Sequence, residues 1–437
     1  MLKYIPMLLL IYVWCVAGLS DPSAPFQNYP IVRWLSFPII LGLFLLTLPR
    51  ILYLKQWQKT GFEKYICGIA LLITISTLMH ECSLQDGIYA MGIYLRYPLF
   101  CLIILNMGIT TRQYRLFIIL FCAIGVLLSG EALFNYYFWG LSGDKTFISL
   151  GSSWGHVAAG IFFMYGSCLV IAHLLLNGFR ISYMIYLALI IFISLFIASI
   201  RSVLIFMVPM SLIIWAVKKE IIQERMILLC SACFIIITLL AVMLPWQTLK
   251  LEHPFIVNIS PEYRLRLIGQ IISELHSSGD IFLGVGPRSM SPGAFGHMGS
   301  MYEMFYFDMR SILFGGTNQY VKAFSEIGVV GFIIYWAMLV KTLFANAQFH
   351  RLLKEDSGKN VGYYRLVSLS FWGIWIHYSA FGLLYNDFWR FDISSLVFWF
   401  FVAIIYSGKQ SLLKENKDQI DVIRYPVEVE FGMSINK

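Results

Sequence analysis

A chain of 437 residues that is 59% hydrophobic and only 13% charged, with a mean hydropathy of +0.74, carries far more apolar side chain than the roughly 45–50% of an ordinary soluble domain. That excludes a water-soluble globular protein and points to a polytopic membrane protein, counted as one membrane domain over 1–437. The net charge of +8 does not indicate a nucleic-acid partner, because the Lys and Arg are scattered over short loops and form no patch with interleaved aromatics.

Apolar runs of the ~20 residues needed to cross a hydrocarbon core of about 30 Å recur along the chain. In order, about twelve spans are predicted, near 5–20, 35–54, 65–80, 88–107, 116–137, 157–176, 182–199, 202–217, 226–246, 319–341, 366–385 and 394–407, each bounded by charges or turn residues. The first of them, MLKYIPMLLLIYVWCVAGLS, has the layout of a signal peptide, but Asp21-Pro22 directly behind it and the many later spans favour a first membrane helix. Of the eight cysteines, seven lie inside spans, where Cys behaves as a small hydrophobe, and Cys82 alone sits in a loop, so no disulfide framework is expected.

Alternate loops carry Arg50, Lys55, Lys59 and Lys64; Arg112 and Arg115; Arg180; Lys218, Lys219 and Arg225; and Lys341, Arg351, Lys354, Lys359 and Arg365. By the positive-inside rule this set is cytoplasmic, which places both termini in the cytoplasm and makes the span count even. The opposite loops are short except for one of about 70 residues, 247–318, and a loop that long is uncommon without a function. Within it, SPEYRLRLIGQIISELHSSGD has a helix-start signal at Ser260-Pro261-Glu262, apolar residues at Leu265, Ile268, Ile271, Ile272 and Leu275, and a stop at Ser278-Gly279. This is an amphipathic helix suited to the membrane surface or to capping the bundle. Residues 408–437, with the alternating charges of KENKDQIDVIRYPVEVEFG, read as a mobile cytoplasmic tail.

Several residues carry the options for chemistry. No pair of the eight His has the His-x-x-x-His spacing and no carboxylate cluster accompanies them, so neither a metal nor another cofactor is expected. FLGVGP (Phe282 to Pro287) holds Gly-x-Gly without a following Lys-Ser/Thr, and reads as a turn in preference to a phosphate loop. Arg201 divides two apolar stretches and marks a tight extracytoplasmic turn; it either snorkels to the interface or faces inward to bind an anion with its planar fork. Arg264 and Arg266 stand about 200° apart on the amphipathic helix, and a cation at a helix N-terminus opposes the macrodipole, so Arg264 calls for a second reason such as an anionic ligand. Arg96 and Glu131 are ionisable residues within spans, which are functional or paired with each other. His377 fits a hydrogen-bonded interior histidine, and Asp387 and Arg390 fit the solvated end of a hairpin.

RLRLIGQIISELHSSGDIFLGVGP, a gap, and then TNQYVKAFSEIGVVGF resemble the shared core of the bacterial O-antigen ligase and O-antigen polymerase superfamily, over about Ser199 to Phe332. There an Arg opens a helix, a Gly-x-Gly-Pro turn follows, and a His-Asn-x-Tyr segment leads into Glu-x-Gly-x-x-Gly at the next span. The resemblance implies a fold of about twelve transmembrane helices with one large periplasmic loop, in the bacterial inner membrane. It also implies an inverting, metal-independent glycosyltransferase that uses a polyprenyl-diphosphate-linked glycan donor at the periplasmic face. Carried over by position, Arg201 and Arg264 hold the undecaprenyl diphosphate and count as catalytic, while Asn318, Tyr320, Glu326, Gly328 and Gly331 match the segment entering the span. Arg266, Arg96 and Thr317 join Asn318, Tyr320 and Glu326 as substrate-binding candidates. Gly328 and Gly331 are expected to let this helix pack closely on its neighbours.

One position departs from the pattern: where ligases carry the His thought to activate the acceptor, this chain has Thr317, which weighs against a ligase and towards a polysaccharide polymerase. Thr has no useful basicity near neutral pH, so another group must take the proton, with His297, Glu303, Asp308 and Glu326 in view, or the arginines do most of the work by stabilising the leaving group. The aromatics of MYEMFYF and Trp246 suit sugar stacking or interface anchoring. The partners implied are lipid-linked glycans, the bilayer and a chain-length regulator. Two rivals stand behind the polymerase: a ligase acting on lipid A core, and a twelve-span transporter or flippase, which would place its site near the midplane among broken helices and internal repeats.

Overall fold

In lipid a backbone has no water to bond, so an apolar run must close its hydrogen bonds within the segment, and each predicted span that falls on described residues is helical. The structure, a computed structural model, describes residues 36–54, 57–80, 82–107, 109–142, 146–147, 155–198, 201–221, 275–277, 279–286, 319–355, 360–381 and 392–424, together with Leu8. The span predicted at 226–246, that at 5–20 apart from Leu8, and nearly all of the amphipathic helix lie outside the described residues. In chain order the helices are α1 (Ser36–Leu54), α2 (Glu63–Met79), α3 (Leu84–Asn106), α4 (Thr111–Trp139), α5 (Gly155–Asn177), α6 (Ile181–Phe192), α7 (Arg201–Lys218), α8 (Gln319–Glu355), α9 (Val361–Phe381) and α10 (Asp392–Arg424). Five of them, α3, α4, α5, α8 and α10, are long and apolar enough to cross a membrane, which makes this an all-helical membrane protein among the described residues. Two helices outrun the predicted spans: α8 continues to Glu355 and α10 to Arg424, through the Lys, Glu and Gln-rich run, whose residues are good helix formers.

Short connections carry their own signals. Ser83 caps α3, its hydroxyl accepting from the Asp86 N–H at 3.2 Å, and Thr110 with Gln113 forms a capping box at α4. Gly140 closes α4 in the left-handed region at φ 63°. Helix α3 packs on α1, α2 and α10, whereas α5, α7 and α9 pack on one another, and α8 joins the two groups through α2, α9 and α10. Since lipid tails are as apolar as the side chains, close packing must hold these helices together. The aromatic stacks Phe117–Phe400 at 3.6 Å and Tyr378–Phe398 at 4.0 Å supply it along α10.

The bundle has two chemically different ends. At one, Gln58 donates to Asn106, Arg115 to Asn360, and Lys354 pairs with Glu220 at 2.8 Å, so the 57–62 linker, the α3–α4 turn, the α7 C-terminus and the α8–α9 turn share a face. Lys59, Lys64, Arg112, Arg115, Lys218, Lys219, Lys341, Lys354, Arg365 and Lys409 belong to that basic end. The other end holds the 279–286 turn and the starts of α3, α8 and α10.

At the basic end Glu63, the first residue of α2, uses one carboxylate oxygen to accept from the Thr60 N–H at 3.0 Å and the Trp57 indole at 2.9 Å. Burial pushes its carboxyl up, but the bonds from the Thr60, Glu63 and Gly61 backbone and from Trp57 outweigh it and hold the group below its ordinary value of 4.5. A depressed carboxyl stabilises the fold above that ordinary value and loses the contribution as pH falls through the folded one. Glu63→Gln is therefore expected to lower the thermal midpoint of the purified protein at pH 7, with the gap to the parent narrowing as pH falls below about 4; a gap independent of pH would refute the charge-based account.

Candidate functional site

At Gly328 the backbone of α8 leaves the helix, with φ 67° and ψ −178°. In an unbroken helix the Val329 N–H would meet the Ser325 carbonyl four residues back. Here each is given to the 279–286 turn: Val329 N–H donates to the Ile281 carbonyl at 2.9 Å, and the Ser325 carbonyl accepts from Val285 N–H at 2.7 Å. The turn itself is closed by Gly284 N–H on the Asp280 carbonyl at 2.7 Å. Only glycine fits the two backbones where they meet. Gly284 has φ +73°, and a Cβ there would lie 2.5 Å from the Ser325 carbonyl oxygen and 2.7 Å from the Gly328 nitrogen; a Cβ on Gly328 would strike the Phe282 carbonyl. The FLGVGP turn and the Glu-x-Gly-x-x-Gly segment are thus one interlocked unit.

This alters the expected role of the two helix glycines. Gly328 makes room for a loop, not for another helix, and the nearest neighbour of a Cβ on Gly331 would be Ile327 of the same helix.

Just before the break, Glu326 is fully buried and accepts from the Tyr94 hydroxyl of α3 at 2.9 Å. Tyr94 lies edge-on to Tyr335 of α8, and two residues further along α3 the Arg96 guanidinium sits 4.6 Å above the Tyr97 ring. Arg96 is buried too, and close enough to Tyr378 of α9 to act on it electrostatically. Tyr378 in turn shares a hydrogen bond with Ser395 of α10 at 3.0 Å. Three helices, α3, α8 and α9, therefore place a carboxyl group, a guanidinium and four phenols in the interior, at the end of the bundle that holds the break. His377 is buried edge-on to Tyr165, 5.4 Å between ring centres, an interior position in keeping with its sequence context. Glu131, on α4, is half-buried.

The sequence-predicted residues divide unevenly. Arg96 and Glu326 come to the same end of the bundle, from α3 and α8. Arg201 opens α7, four positions beyond the end of a π-helical turn, Ile193–Ile197, in which Ala198 N–H reaches back five residues to the Ile193 carbonyl at 2.8 Å. Such turns recur at functional sites because they redirect the chain without ending the helix. Tyr320 lies in the first turn of α8. The side chains of Arg201 and Tyr320 lie outside the described residues, as do Arg264, Arg266, His297, Glu303, Asp308, Thr317, Asn318, Asp387 and Arg390 in full.

Sequence reasoning missed the companions of the turn. His80, at the end of α2, has its Nε2 3.9 Å from the Asp280 carboxylate, and a Cβ on Gly286 would meet Cys82 Sγ at 2.8 Å and His80 Cβ at 3.3 Å. The signal was the pair MHEC and SSGD, a His and an Asp each just outside an apolar run, which only the fold brings together. Burial, and then the nearby Asp86 carboxylate, push the Cys82 thiol above its ordinary value, so it is not poised as a nucleophile. No family model matches the chain, and no curated protein matches it.

Gly328→Ala and Gly284→Ala each force a Cβ into a backbone contact at positive φ, at a cost of about 1–3 kcal/mol. Both are expected to lower the thermal midpoint, while Gly362→Ala, where a Cβ would meet nothing within 4 Å, leaves it unchanged. Equal midpoints for all three would remove the interlock from the account.

Proposed function

We propose that the protein is a polymerase of undecaprenyl-diphosphate-linked oligosaccharide repeat units, for O-antigen, capsule or exopolysaccharide, working at the periplasmic face of a bacterial inner membrane. The observation that carries this reading is the interlock at Gly328: the two pieces of sequence that resemble the ligase and polymerase superfamily, far apart in the chain, touch backbone to backbone beside a buried carboxylate. The reading takes about twelve spans, cytoplasmic termini, and the 247–318 segment as a periplasmic loop above that interlock.

In the reaction, a hydroxyl of the lipid-linked acceptor repeat attacks the anomeric carbon of the donor chain from the face opposite the diphosphate. The new C–O bond forms as the bond to the diphosphate oxygen breaks, so configuration inverts. The hydroxyl proton passes to a base, and undecaprenyl diphosphate leaves. Arg201 and Arg264 neutralise the charge growing on the departing diphosphate, the role fixed cations fill best in a site that excludes water. Arg266, Arg96, Thr317, Asn318, Tyr320 and Glu326 contact the remaining phosphate and sugar oxygens. With Thr317 in place of a basic residue, His80 beside Asp280 and the buried Glu326 are candidates among the described groups at that end to take the proton.

A second reading, a transporter of lipid-linked sugar, draws on the same break: a discontinuous helix with an ionisable residue at the discontinuity is how many carriers build a substrate or proton site. A ligase acting on lipid A core has no such observation in its favour, and Thr317 counts against it.

Reconstitution of the full chain with lipid-linked repeat units separates these readings. Polymer ladders are expected, reduced at least tenfold by Arg201→Ala or Arg264→Ala and by His80→Ala to a smaller degree. Movement of the lipid-linked unit across the bilayer without new glycosidic bonds would favour the carrier, and ladders undiminished by either arginine substitution would overturn the diphosphate-binding roles.

A further inference from the structure

The basic end holds a cleft of about 310 Å³ between the α1–α2 linker, α8 and α10. We infer that it is a binding site for a phosphate-bearing anion, held by Lys59, Lys341 and Lys409. It lies at the far end of the bundle from the interlock, since the fifteen residues from Glu326 to Lys341 rise about 22 Å along α8.

The walls are two facing helical stripes. Lys341, Phe344, Ala345 and Gln348 repeat at the three- and four-residue spacing of one face of α8, and Tyr406, Lys409, Gln410 and Leu413 do the same on α10. The linker closes the cleft with Lys59 and Thr60. Three segments thus each contribute one ammonium group, and among the described residues no carboxylate lines the cleft. The nearby Glu63 turns its carboxylate to the Thr60 N–H and the Trp57 indole.

The cations are also held in place. The Lys341 ammonium lies 5.7 Å from the centre of the Phe62 ring and 5.6 Å from that of Tyr65, packed over their aromatic faces. Gly61, at φ +75°, makes the room, because a Cβ there would collide with the Lys341 ammonium. Lys409 donates to Gln348 across the cleft, which sets its direction. Like charges gathered in one cleft repel, and an anion among them removes that cost. Thr60, Gln348 and Gln410 add neutral polar groups suited to phosphate or glycerol oxygens, while Phe344, Ala345 and the exposed Leu413 give one apolar wall. Basic pockets between helices at one face of a membrane protein suit anionic lipid headgroups in this way. The shared chemistry is a phosphoryl group, whether on a lipid or free in solution.

The test uses the full-length protein in phosphatidylcholine nanodiscs, with the thermal midpoint read with and without added phosphatidylglycerol or cardiolipin, and separately with inorganic phosphate. Wild type is expected to be stabilised by the anionic lipid, and Lys341→Gln/Lys409→Gln to lose most of that shift, whereas Lys409→Arg and the exposed Lys219→Gln keep it. Stabilisation by inorganic phosphate without a lipid effect, lost in the same double variant, supports the site with a soluble ligand. If the double variant does not fold, Lys59→Gln, on the exposed linker, carries the readout. Shifts equal in wild type and the cleft variants, a loss as large in Lys219→Gln, or no shift with any of these anions, would overturn the inference.

Discussion

One exchange of backbone hydrogen bonds organises the end of this bundle that holds the 279–286 turn. A helix in lipid cannot leave an amide or a carbonyl unpaired without a penalty of several kcal/mol. Helix α8 nevertheless gives up its own Ser325–Val329 bond, because the 279–286 turn supplies both partners. The constraint runs in both directions: the turn needs the break to reach the Ser325 carbonyl, and the break needs the turn to satisfy Val329. Two glycines at positive φ, Gly284 and Gly328, are the sequence cost of that fit.

Around this point the packing follows from the same demand for partners. Glu326 lies two residues before the break, buried where α8 meets α3, where an acid needs a donor; Tyr94 is there to give one. Arg96 finds its surroundings in aromatic faces and phenols. Both ends are built from segments far apart in sequence, the polar interior from side chains within the helices and the basic end largely from turns and helix termini. The two ends differ in kind, a dry set of hydrogen-bonded side chains at one and an open cationic cleft at the other.

The helices were legible in the chain because lipid leaves the backbone few alternatives, so the apolar runs between 35 and 217 and beyond 319 mark the described helices to within about five residues, apart from the C-terminal ends of α8 and α10. The C-terminal extension of α10 was not, since a charged run reads as tail until its helix-forming residues are attached to an apolar span that nucleates them. Within the site, Arg96 stood out because an ionisable residue in an apolar run is costly, and Glu326 only through the resemblance carried by its Glu-x-Gly-x-x-Gly segment. Tyr94 and Tyr378 did not, for a tyrosine in a span looks like any other apolar side chain until its hydroxyl has a partner. His80 and Asp280 were illegible for a different reason: each sits in an ordinary polar turn, and only the docking of the turn on α8 brings them within 3.9 Å.

The break at Gly328 also bears on the order in which the protein is made. Synthesis runs from the N-terminus, so the 279–286 turn leaves the ribosome before the first residue of α8. When Val329 enters the bilayer its missing acceptor has already been made, and the Ile281 carbonyl need only wait some forty-eight residues upstream. A chain in which that turn was displaced would leave the Val329 N–H and the Ser325 carbonyl to each other, and α8 would close as a straight helix through Gly328.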